Sequence, residues 1–94
     1  MPKYGVEQIR EKIRLGEYDM TFHAMEEMAE DHLDILDVEQ AVLTGKVIRI
    51  EKDDLRGIKY VVAGNAADGI IPVGVVGRFT ETGRFLIVTV YEIT

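Results

Sequence analysis

Apolar residues in the first half of the chain recur at helical spacing. Val6, Ile9 and Ile13 repeat at intervals of three and four, and Gly16 follows where a helix would end, which predicts an amphipathic helix over residues 5–15. Thr21 has the side chain of an N-cap, so a second helix is predicted from there through residue 31 or 32. On it Phe22, Met25, Met28 and Ala29 fall on one face, expected to be core, while Glu26, Glu27 and Glu30 face water. Asp34 caps a third helix with Asp37 in its first turn; Val38, Ala41 and Val42 form the buried face and Gly45 supplies the stop.

The second half changes to strand periods. Val47, Ile48 and Ile50 mark a strand over residues 46–52, and a turn through Asp53, Asp54 and Gly57 leads to a strand over residues 58–63. Residues 64–69 are rich in turn formers. In the strand expected over residues 70–79, Pro72 indicates an edge or a strand start, and Gly74 and Gly77 indicate bulges or close approach. Thr82 and Gly83 turn the chain into residues 85–93, with Leu86, Val88 and Val90 on one face and Phe85, Ile87, Thr89 and Tyr91 on the other. A strand this apolar on both faces should be central or covered on both sides. The pattern as a whole predicts an α+β fold in one domain spanning residues 1–94. Two to three N-terminal helices would pack on one face of a four-stranded, mainly antiparallel twisted sheet.

Composition narrows the function classes. With 94 residues, 47% of them apolar and 30% charged, the chain matches one ordered domain. No apolar run approaches the roughly 20 residues of a membrane span, and the N-terminus lacks the apolar stretch of a secretory signal. The absence of cysteine excludes disulfides, thiolate metal sites and a cysteine nucleophile. A cytoplasmic location is expected. The net charge of −6 is uneven: residues 1–54 carry fourteen acids against seven bases, whereas residues 55–94 carry Arg56, Lys59, Arg78 and Arg84 against three acids. An acidic chain is not expected to bind nucleic acid tightly and non-specifically, but the arginines of the C-terminal half leave room for a local site.

Few residues carry candidate chemistry. His23 falls in the first turn of its helix, where unpaired amides and the positive dipole end attract anions and favour a neutral imidazole, the form a general base requires. The competing role is packing at a helix-sheet junction. His32 lies nine residues further on, roughly 13 Å along a helix, too far to share a metal with His23, and reads as a cation at a helix C-terminus. His23 and Glu27 are one turn apart, but two ligands make no metal site, and no metal or cofactor is expected. Arg78 and Arg84 flank the last turn, and Thr89 and Tyr91 share a strand face; guanidinium and hydroxyl groups could grip a phosphate and its transition state. Equally, they could be a solvated hairpin end and a rim tyrosine. Residues 64–69 lack the lysine of a phosphate loop.

The order of these features resembles a known family. Ile9-Arg10 and Ile13-Arg14, then His23-Ala24 with Glu26 and Met28, Asp37-Val38 before Ala41-Val42, Gly45 to Ile48, and the closing Ile87-Val88-Thr89-Val90-Tyr91-Glu92 are similar to domain of unknown function family 4258. That family looks related to the RelE-like and barnase-like ribonuclease toxins of toxin-antitoxin systems. The resemblance implies metal-independent RNA cleavage: His23 as general base, Arg78 or Arg84 stabilising phosphorane charge, and Thr89 and Tyr91 positioning the phosphate or protonating the leaving group. Two departures stand out. Members typically place arginines four and eight residues after the histidine, where this chain has Glu27 and Asp31, and a glycine where it has His32.

A second class remains open, a non-catalytic protein-interaction domain. Its acidic half would dock a basic partner, or it would form a homodimer through a sheet edge, the strand at Ile70-Ile71-Pro72 being the expected edge. The expected partners are therefore RNA or a protein, and not a membrane.

Overall fold

The structure is a computed structural model that describes residues 5–53, 55 and 57–94. The expected turn residue Asp54, and Arg56, one of the C-terminal bases, lie outside the described residues. The elements run α1 (Val6–Leu15), β1 (Tyr18–Met20), α2 (Phe22–Glu30), α3 (Ile35–Thr44), β2 (Lys46–Asp53), β3 (Gly57–Asn65), β4 (Pro72–Phe79) and β5 (Phe85–Glu92). Three helices and a mixed sheet of order β1-β5-β4-β3-β2 give an α+β fold.

Among the described residues the sheet has five strands where four were expected. The extra strand, β1, pairs parallel with β5 through Tyr18, Asp19 and Met20, while the other neighbours are antiparallel. Three residues are too few to show a period, so the strand is invisible in the sequence. It is held from both sides: the Tyr18 hydroxyl donates to Glu39 of α3 at 2.6 Å, and Arg84 donates to the Tyr18 carbonyl at 3.2 Å and to Asp19 at 2.7 Å. Burial, and then the neighbouring Glu39 carboxylate, push the Tyr18 phenol far above its ordinary range, so it stays a donor.

All three helices share one face of the sheet. Ile9 and Ile13 of α1, Ala24 of α2 and Val38, Ala41 and Val42 of α3 meet Tyr60, Val62, Val73, Val75, Phe85, Ile87 and Val90 in one core. Helix α3 crosses β3 and β4, α2 lies along β5, and α1 packs on α3. Close approach at the end of α3 requires glycine. A Cβ on Gly45 would lie 2.4 Å from the Ala41 carbonyl oxygen, and one on Gly64 would lie 1.9 Å from the same atom. Arg10 of α1 donates to the Gly45 carbonyl there, placing a cation at the helix C-terminus.

Helix α2 buries a different face from the one its apolar residues mark. Phe22 is 79% exposed, and Met25 and Ala29 are exposed as well, leaving Ala24 buried and Met28 at the core margin. The helix ends at Glu30, and Leu33 N–H reaches back to the Met28 carbonyl at 2.9 Å, with His32 at φ 57 forming the left-handed link.

Strand β5 also departs from its alternation. Val76 faces Thr89 but Gly77 faces Ile87, so Val88 is an extra residue on β5. This bulge separates Phe85 and Ile87, which point to the helices along with Val90, from Thr89 and Tyr91, which point to the open face. Without it the two hydroxyls would enter the core. Each face also uses a glycine of β4: Phe85 packs where a Gly77 side chain would be, and the Tyr91 ring packs where a Gly74 side chain would be. β4 is an interior strand between β3 and β5, which corrects the expectation that the segment at Ile70-Ile71-Pro72 is an open edge.

Candidate functional site

The sheet face opposite the helices carries most of the candidate residues. Register places Arg49, Val61, Val76 and Thr89 in one row across β2 to β5, and Lys46, Ala63, Gly74 and Tyr91 in the next. Arg78 pairs with Leu86, which pairs with Asp19, and Glu51 pairs with Lys59 on the same face. Val61 is fully buried and Val76 8% exposed, so the floor is dry under the longer side chains around it.

Charge is sorted across the sheet. Among the described side chains the open face has Lys46, Arg49, Lys59 and Arg78 against Glu51, with the Arg84–Asp19 pair at one end, and the register places Asp53 on this face as well. Glu51 lies 2.9 Å from Arg49 and 3.9 Å from Lys59. Among the described residues Arg78 has no acidic partner, and neither the Thr89 nor the Tyr91 hydroxyl has a hydrogen bond. Three polar groups are thus free on one face, with a cation among them.

Arg84 stands apart. Its guanidinium holds Asp19 through two nitrogens, at 2.7 and 3.3 Å. The pair draws the Asp19 carboxyl below its ordinary range and raises Arg84, chiefly through their hydrogen bond. Arg84 precedes β5 and stands seven positions before Tyr91, about 20 Å at strand rise once the bulged Val88 is left out. Its geometry is that of a clamp between β1 and β5.

His23 stands at the opposite margin of β5. Its imidazole is 72% exposed, with Nε2 3.3 Å from the Glu27 carboxylate. The other Glu27 oxygen accepts from the Val90 N–H at 3.3 Å, and one turn later Asp31 accepts from the Glu92 N–H at 2.8 Å. Beyond Met20 the strand β1 has ended, and these two carboxylates satisfy the β5 edge in its place. Arginines at these positions could donate but not accept, so Glu27 and Asp31 serve the backbone here. The Nε2 contact with Glu27 leaves Nδ1 as the imidazole nitrogen not engaged there. The Tyr91 ring lies over Gly74 of β4, on the side of β5 away from α2. The fold thus puts Arg78, Thr89 and Tyr91 on one face in successive positions, with Thr89 between the other two, sets His23 across β5 from them, and leaves Arg84 tied to Asp19 beyond Arg78.

The model of the family described as Domain of unknown function (DUF4258) matches residues 20–92. The chain belongs to that family. The matched span begins at Met20 and ends at Glu92, taking in α2, α3, β2 to β5 and every candidate residue. No match is found among curated proteins or among solved structures.

Lys46, Arg49, Lys59 and Glu27 are the members of this arrangement that sequence reasoning missed as site residues. For Arg49 and Lys59 the signal was present, since each alternates with apolar neighbours, whereas Lys46 joins their face only through the bulge between Val47 and Arg49. For Glu27 it was the one-turn spacing from His23. A groove of about 410 Å³ lined by Glu7, Gln8, Glu11, Lys12, Phe79 and Gly83 lies elsewhere, between α1 and the β4–β5 turn, and none of the five candidates lines it. Among the described residues no cluster of three or more histidine and carboxylate side chains is placed to hold a metal, and no helix is long and apolar enough to cross a membrane.

Proposed function

We propose that the domain is a RelE-like ribonuclease-fold relative that binds single-stranded RNA on the open face of its sheet and cleaves it slowly without metal. Arg78 would hold one phosphate of the strand, with Thr89 and Tyr91 donating hydrogen bonds to the oxygens of a neighbouring one. The observation that carries this reading is the set of unpaired groups, Arg78, Thr89 and Tyr91, on a basic face of an otherwise acidic chain. The cleavage step requires the RNA to cross β5 above Thr89, from the open face to the margin that holds His23. There His23 Nδ1 would take the proton of a ribose 2′-hydroxyl as that oxygen attacks phosphorus. The P–O5′ bond breaks, and the leaving oxygen takes a proton from the Tyr91 hydroxyl, giving a 2′,3′-cyclic phosphate and a 5′-hydroxyl. The Glu27 carboxylate beside His23 repels the RNA backbone, which makes binding the stronger property and cleavage the weaker.

The test uses end-labelled RNA with the purified protein in chelator. Saturable anisotropy is expected, weakened about tenfold or more in Arg78→Ala, in keeping with about 1.5–3 kcal/mol for a charge-assisted contact. Cyclic phosphate ends are expected from the wild type and not from His23→Ala prepared in parallel. Absence of saturable binding at low salt would overturn the proposal as a whole; equal cleavage by His23→Ala would remove His23 from it.

A further inference from the structure

The two edges of the sheet are treated differently. At the β1 side, β5 is covered by β1 and then by the Glu27 and Asp31 carboxylates, so its outward N–H groups are satisfied. At the other side β2, eight residues long, has β3 on one flank and, among the described residues, no strand on the other. Its apolar side chains Ile48 and Ile50 are 55% and 41% exposed. A long edge with exposed apolar residues is a template for strand addition.

We infer that β2 pairs antiparallel with β2 of a second copy of this chain, with Ile50 facing Ile50 of the partner subunit across a twofold axis. Charge selects both the occupant and the register. For a twofold axis normal to the sheet, side chains stay on their own face only if facing residue numbers sum to an even value. An axis at Arg49 or at Glu51 sets like charges directly opposite each other. An axis at Ile50 sets Arg49 against Glu51 of the partner subunit and Glu51 against Arg49 of the partner subunit, both on the open face. The pair that now closes within one chain, Arg49 to Glu51 at 2.9 Å, would exchange between chains.

The bulge between Val47 and Arg49, with Lys46 and Lys52 on either side, blunts the ends of the edge. These features restrict addition to a short central stretch and oppose open-ended growth. The result is a continuous ten-stranded sheet with helices on one face and two basic faces side by side on the other. An interface of one strand edge is small, so dissociation on the order of tens of micromolar is expected.

Sedimentation velocity on RNA-free protein from about 1 µM to about 1 mM spans that range. Arg49→Glu would face Glu51 of the partner subunit, and Glu51→Arg would face Arg49 of the partner subunit, so each variant alone is expected to dimerise at least about tenfold more weakly. Mixing the two variants brings opposite charges together at both positions. The mixture is therefore expected to form a heterodimer at least as tight as the wild-type dimer. Repair of the pair within one chain cannot produce that result. A monomeric wild type throughout the range, or a mixture no tighter than its separate components, would overturn the proposal. Neither measurement depends on RNA binding.

Discussion

His32 holds a backbone conformation that its side chain disfavours. At φ 57 it links α2 to the buried Leu33, and an L-residue in the left-handed region costs about 1–2 kcal/mol, a cost glycine avoids. His32→Gly is expected to raise stability by about 0.5–1 kcal/mol, because the relief exceeds the extra freedom glycine gives the unfolded chain. Urea denaturation measures it; lower stability would mean that the imidazole makes a contact worth more than the strain. The sequence shows a histidine at the end of a helix, which reads as charge on a dipole, and carries no local sign of the backbone angle. Gly45 shows the reverse. Its place as a helix stop is legible, but its backbone is extended at φ −92, and the need for glycine comes from the Ala41 and Ala63 carbonyls, which meet only after folding.

At the scale of elements, the helix with the clearest caps was also the most legible. Asp34 caps α3 as expected, and the two carboxylates close a reciprocal box, Asp34 accepting from the Asp37 N–H at 3.1 Å and Asp37 from the Asp34 N–H at 2.9 Å. Asp37 adds a tie that the sequence does not disclose, accepting from the Ala67 N–H of the β3–β4 loop at 2.9 Å. The N–H bonds from Asp34 and Ala67 hold the Asp37 carboxyl below its ordinary range. Since the folded value is the lower one, the stabilisation is complete above the ordinary carboxylate pKa of about 3.9 and is lost as pH falls through the folded value. Asp37→Asn should therefore flatten the acid limb of a stability curve below about pH 4 and cost little of its slope near neutrality. An unchanged acid limb would show that Asp37 is not the group responsible. Helix α2 and strand β5 were legible in kind but not in orientation. The periodicity of Phe22, Met25 and Ala29 marks an apolar stripe, yet the β5 edge offers N–H groups that only Glu27 and Asp31 can satisfy, and this turns the helix. A single bulge at Val88 reverses the alternation of β5. Both effects belong to neighbours far away in sequence.

For the molecule as a whole, the border between acidic and basic character is the sheet and not a point along the chain. Lys46 and Arg49 lie in the half of the sequence where acids outnumber bases, yet β2 delivers them to the same face as Lys59 and Arg78. A net charge of −6 argues against nucleic-acid binding only while that sorting is unknown. Arg78, Thr89 and Tyr91 could be named from residue type and strand position, whereas their freedom from partners depends on where Glu51 and Asp19 place their carboxylates. If the open face binds RNA, the affinity must fall with salt through release of counterions. For single strands the slope of log K against log salt is about −0.7 per phosphate neutralised, so three to four bases predict about −2 to −3. Arg78→Ala should make the slope shallower by about 0.7, while Glu11→Gln, in the helical layer, should leave it unchanged. A slope equally sensitive to Glu11 would mean that RNA responds to total charge, and the open face would lose its claim.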